Sequence, residues 1–154
     1  MNNDDCVIEN RYDFELPLGE SWDIYYQLTL ADEVTPFDLT DYGLRMQFRI
    51  PGALYPTLEL TTAGFYNAAP TLWPSYELLT ITPLTGEIRG VIPPNVIGLL
   101  SPNNTVIKFE YDIERVKPIG LSVPNEVLPM TWPSNEYIKR IFFGEMTTQK
   151  RATY

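Results

Sequence analysis

Ile107-Lys108-Phe109-Glu110-Tyr111-Asp112-Ile113-Glu114 alternates apolar and charged residues without a break. Successive side chains of a strand point to opposite faces, so this stretch carries one apolar face and one charged face. The same period recurs upstream. Tyr12, Phe14, Leu16 and Leu18 alternate with Asp13 and Glu15, and after Gly19 the residues Trp22, Ile24, Tyr26, Leu28 and Leu30 alternate with Asp23, Gln27 and Thr29. Leu44, Met46, Phe48 and Ile50 face away from Arg45, Gln47 and Arg49. Shorter strands are predicted near 57–62, 77–82 and 87–92, and a last one near 136–147. Each apolar face must be buried against a second layer. Seven or eight such strands in 154 residues predict an all-β domain, either a mostly antiparallel β-sandwich or a small barrel.

Helical period is nearly absent. Pro93 to Leu100 is read as a single turn linking two strands, with proline at its start. The fourteen prolines fall mostly between the strand runs. Pro17 is the exception, and it marks the first strand as an edge, because proline cannot donate to a central ladder. The domain is expected over residues 11–148, with an N-terminal arm at 1–10 and a C-terminal tail at 149–154.

Two long loops, about 63–75 and 117–135, interrupt the pattern, and loops of that length often carry function. One contains Thr71-Leu72-Trp73-Pro74-Ser75, with Tyr76 next; the other contains Thr131-Trp132-Pro133-Ser134. Trp73, Tyr76 and Trp132 are therefore candidate partner-binding residues, since aromatic anchors are enriched in interface hot spots. The competing reading makes the tryptophans caps on the end of the core. Stacking on a sugar ring ranks last, because no Asn/Asp/Arg cluster accompanies both.

Charge is unevenly placed. The formal net charge is −9, which argues against a nucleic-acid groove. Residues 1–41 hold eleven of the twenty acids against the lone Arg11, whereas Lys139, Arg140, Lys150 and Arg151 cluster near the other end. Lys150 and Arg151 join the candidate partner-binding set as one of two complementary patches. The single Cys6 excludes an internal disulfide and fits a reducing cytoplasm. The acidic N-terminus has no apolar core of a secretory signal, and no apolar run reaches the ~20 residues of a membrane helix. A soluble protein with no membrane partner is expected.

Catalytic chemistry finds little footing. The chain has no histidine, which removes the usual general base and rules out Ser–His and Cys–His nucleophile pairs. Neither common phosphate-cradling glycine motif occurs. Glu110, Asp112 and Glu114 lie on one strand face, which reads as a solvent face paired with Arg45 or Arg49 rather than a glycosidase pair. No catalytic residue, cofactor or metal is assigned.

The stretch Thr35-Pro36-Phe37-Asp38-Leu39-Thr40-Asp41-Tyr42-Gly43-Leu44-Arg45-Met46-Gln47-Phe48-Arg49 resembles a signature of small structural proteins encoded among the tail and baseplate genes of tailed bacteriophages. Further landmarks are similar: Gly19, Thr61-Thr62, Gly86-Glu87-Ile88, Tyr111-Asp112 and Arg140-Ile141-Phe142-Phe143-Gly144. The resemblance covers residues 11–148 and departs at the 117–135 segment and the second tryptophan loop. It implies an immunoglobulin-like β-sandwich with long loops in a virion. The implied role is a non-enzymatic connector or attachment module that meets other virion structural proteins in several symmetric copies. A capsid or neck accessory protein and a host-surface carbohydrate-binding module are the alternatives. Within the quoted block, Asp38 and Thr40 are expected to fold back on the turn while Leu39 plugs the core.

Overall fold

The alternation of Leu44, Met46 and Phe48 produces β4 (Gly43–Arg49), in which all three side chains are fully buried. The computed structural model describes residues 10–116, apart from 31, 33, 41 and 64–72, together with 138–150. The other strands are β1 (Asn10–Arg11), β2 (Phe14–Pro17), β3 (Trp22–Gln27), β5 (Leu58–Thr62), β6 (Ser75–Thr82), β7 (Glu87–Ile92), β8 (Lys108–Val116) and β9 (Ile138–Gln149). They pair in the order β1-β9-β8-β4-β5-β6-β7-β3, and β2 continues along β9 beyond β1. The fold is all-β: a single hydrogen-bonded sheet curled nearly into a barrel.

Three pairings depart from the expected antiparallel arrangement. β5 and β6 are parallel, and β1 and β2 run parallel to β9. Parallel neighbours need a long connection between them, and the stretch from 63 to 74 supplies it for β5 and β6. The first and last strands can lie parallel because the whole domain separates them in sequence. Since the ladder is continuous, the two layers of the curl are opposite sides of one sheet.

The core fills the curl. Phe109, Tyr111 and Ile113 of β8 and Met146 of β9 join Leu58 and Leu60 of β5, Leu79 of β6 and Ile88 and Ile92 of β7. The expected single turn after β7 is longer: α1 (Pro94–Ile97) runs on into a 3-10 turn at Gly98–Leu100. Val96, Ile97 and Leu100 are buried in the core, and that anchoring extends the element beyond one turn.

The Asp-Leu-Thr block behaves as its side chains dictate. Asp38 Oδ1 accepts from the Thr40 amide at 2.9 Å and from Thr40 Oγ1 at 2.5 Å, while Leu39 is fully buried. Gly86 fixes this corner to the sheet at φ +67°, where a Cβ would lie 2.5 Å from the Leu28 carbonyl oxygen. Its own carbonyl accepts from the Leu28 amide at 2.9 Å.

The outer face of β4 is not the open solvent face the sequence predicts. Arg45 is 1% exposed, and Gln47, Glu59 and Thr61 are buried with it. Glu59 accepts from Gln47 Nε2 at 2.6 Å and from Ser75 Oγ at 2.8 Å, and Arg45 meets Glu114 at 3.2 Å. Within this layer Gln47, Glu59 and Ser75 satisfy one another, which lowers the cost of burying them.

Candidate binding interface

The two ends of the strand order meet at a seam. β3 ladders with β7 and β2 ladders with β9, and the chain passes from β2 to β3 through Leu18–Ser21, with Gly19 at φ +84°. Pro17, in β2, has no amide hydrogen to give, as its edge reading requires. Side chains bring the two strands together instead. Phe14 lies 5.3 Å from Trp22 and Tyr26 lies 4.7 Å from Phe142, measured between ring centroids. Phe14 also meets Tyr111 edge-on at 5.1 Å, and the Tyr111 hydroxyl donates to the Tyr12 carbonyl.

Phe14, Trp22, Tyr26 and Phe142 floor a groove of about 560 Å³ whose sides include Glu15, Asp23 and Tyr25. Burial pushes the Tyr26 phenol up to about 12, and burial likewise raises that of Tyr111. Asp13 is held below the ordinary carboxylate value, first by the Glu145 amide that donates to it at 2.8 Å and then by Arg11. Arg11 bridges Asp13 at 3.3 Å and Glu145 at 3.9 Å. Arg11, the one cation among the described residues lining this groove, is thus engaged; Glu15 accepts from Gln149 Nε2 at 2.6 Å, and both it and Asp23 are exposed to solvent.

On the outer face beside the seam, Tyr25 is 53% and Val91 64% exposed. The Arg89 guanidinium sits over the Tyr25 ring at 4.7 Å. Alternation identified Trp22, Tyr26 and Phe14 as core residues but did not show that they line an opening. Two adjacent tyrosines, Tyr25 and Tyr26, were the available signal: on a strand, one of such a pair must face outward.

Of the residues singled out from sequence, Trp73, Tyr76 and Lys150 lie among the described residues. Trp73 is 4% exposed and stacks on Tyr55 at 5.8 Å, so it caps packing at the start of β6 and is not an exposed anchor. The Pro74 carbonyl, next in the chain, accepts from the Glu59 amide, which draws the tryptophan inward against β5. Its indole nitrogen is buried and has no hydrogen-bond partner among the described residues. Tyr76 on β6 is 37% exposed and Lys150 follows β9 as an exposed residue, so these two do not form one patch with Trp73. Trp132 and Arg151, and the segments 64–72 and 117–137, lie outside the described residues.

A second, polar hollow of about 300 Å³ lies near Arg49, Glu110, Asp112 and Glu145. The β8 carboxylates stand opposite β4 in register, Glu110 facing Arg49, Asp112 facing Gln47 and Glu114 facing Arg45. Among the described residues no group of three or more His, Cys, Asp or Glu is placed to hold a metal ion, and no helix is long and apolar enough to cross a membrane. No protein-family model matches the chain, and neither does any curated protein.

Proposed function

We propose that this chain is a non-enzymatic structural protein of a tailed-bacteriophage particle, in the tail or baseplate, that acts in several copies through contacts with other virion proteins. The observation that carries the reading is the seam, where, among the described residues, two end strands have one ladder partner each and flank an aromatic groove. An unpaired strand edge is a ready template for another chain, and a protein that works alone normally covers it.

The immunoglobulin-like sandwich belongs to the same proposal, and strand order supports it. Lettered in chain order, β3, β7 and β6 take the places of B, E and D, while β9, β8, β4 and β5 take those of G, F, C and C′. The Asp-Leu-Thr block and its resemblance to tail and baseplate proteins point the same way.

Quantitative mass spectrometry of purified particles from the phage carrying the gene tests the reading. The chain is expected at a fixed, multiple copy number per particle. Its absence from particles that are complete and infectious overturns the proposal.

A further inference from the structure

We propose that the seam accepts an extended, basic segment of another polypeptide, which adds as a strand to the free edge of β3. The inference rests on the assembly reading above and names the chemistry of the partner at that site. In the variable- and constant-type sandwich, strand A pairs with the edge of strand B. Here β1 and β2 pair with β9 instead, and among the described residues no A strand lies beside β3. β3 has six residues, an edge of roughly 20 Å at ~3.4 Å per residue. Trp22-Asp23-Ile24-Tyr25-Tyr26-Gln27 contains neither lysine nor proline, the residues that usually protect a strand edge.

The occupant's character follows from what it meets. Added strands alternate their side chains, so one side of the segment faces the aromatic floor formed by Phe14, Trp22, Tyr26 and Phe142. The other side meets Glu15 and Asp23, with exposed Glu20 in the turn between β2 and β3. Arg11 does not offset these carboxylates, because Asp13 and Glu145 already hold it. Lysine or arginine in the segment complements the rim.

Calorimetric titration of the full chain tests this with three capped hexapeptides: Arg-Val-Arg-Val-Arg-Val, its Glu-for-Arg counterpart, and the basic peptide N-methylated at alternate residues. The basic peptide is expected to bind at least about tenfold more tightly than either of the others, because N-methylation removes ladder donors without changing charge. Amide resonances of Asp23–Gln27 should show the largest shifts. Glu15→Lys combined with Asp23→Lys, both at exposed positions, should reverse the preference between basic and acidic peptides. Should that variant misfold, the N-methylation comparison decides alone. Equal binding of the methylated and unmethylated peptides, shifts centred elsewhere, or no binding overturns the inference. The isolated chain is used throughout, so a negative result here leaves the particle-composition test standing.

Discussion

Phe14 and Trp22 lie 5.3 Å apart although they sit on strands that ladder with different neighbours, β9 for one and β7 for the other. Aromatic packing draws these two ends of the sheet together. Trp22→Ala should therefore cost about 2–3 kcal/mol in urea unfolding, somewhat below a fully buried tryptophan because the ring is partly exposed. A double-mutant cycle with Phe14→Ala should give a coupling of about 1 kcal/mol. Strict additivity would mean that the ring contact does not hold the seam.

Gly144→Ala should loosen the N-terminal strands. A Cβ there would lie 2.3 Å from the Tyr12 carbonyl oxygen and 2.7 Å from Asp13 Oδ1. That oxygen accepts the Tyr111 hydroxyl, and Asp13 accepts the Glu145 amide, so the clash falls on the contacts that tie β1 and β2 to β9. A loss of about 2 kcal/mol or more is expected, with faster amide exchange at residues 12–17. Unchanged exchange there would contradict this role for the glycine.

Glu59 is the acceptor at the centre of the buried polar layer. Glu59→Ala leaves Gln47 Nε2 and Ser75 Oγ without their acceptor and should cost about 2–4 kcal/mol. Glu59→Gln keeps one acceptor oxygen and should cost distinctly less. Chemical denaturation of the two variants separates them, and equal losses would show that volume rather than hydrogen bonding sets the cost.

Stability should fall in alkali. The Tyr26 phenol rises from an ordinary 10.0 to about 12 in the folded chain, chiefly through burial. Its contribution is therefore fully present below pH 10 and lost as pH rises through 12. The loss is on the order of 2 kcal/mol. Tyr26→Phe should flatten the decline in part, since Tyr111 shifts in the same direction. Absorbance titration of tyrosinate should show a late-ionising fraction that Tyr26→Phe diminishes.

Strand alternation located the architecture closely. The run from Ile107 became β8 and the run from Leu44 became β4. Parallel pairing of β5 with β6 was not legible, because period reports which face a residue occupies and not which strand lies beside it. Burial of Arg45 was hidden for a similar reason. A charged face that is covered has the same alternation as one that is wet. Trp73 has a proline-bounded loop as context whether it caps a core or meets a partner, and only packing against Tyr55 separates the two. The seam depends on which strand edges lack a ladder partner among the described residues, a property of the whole sheet.

The proposed role is that of a domain held in a tailed-phage particle through the edge of β3. A three-dimensional reconstruction of the purified particle at side-chain resolution tests it most directly. The account expects the domain at several symmetry-related positions in the tail or baseplate, with a neighbouring polypeptide laid along β3 beside Glu15 and Asp23. A complete particle with no density for the domain would contradict the account.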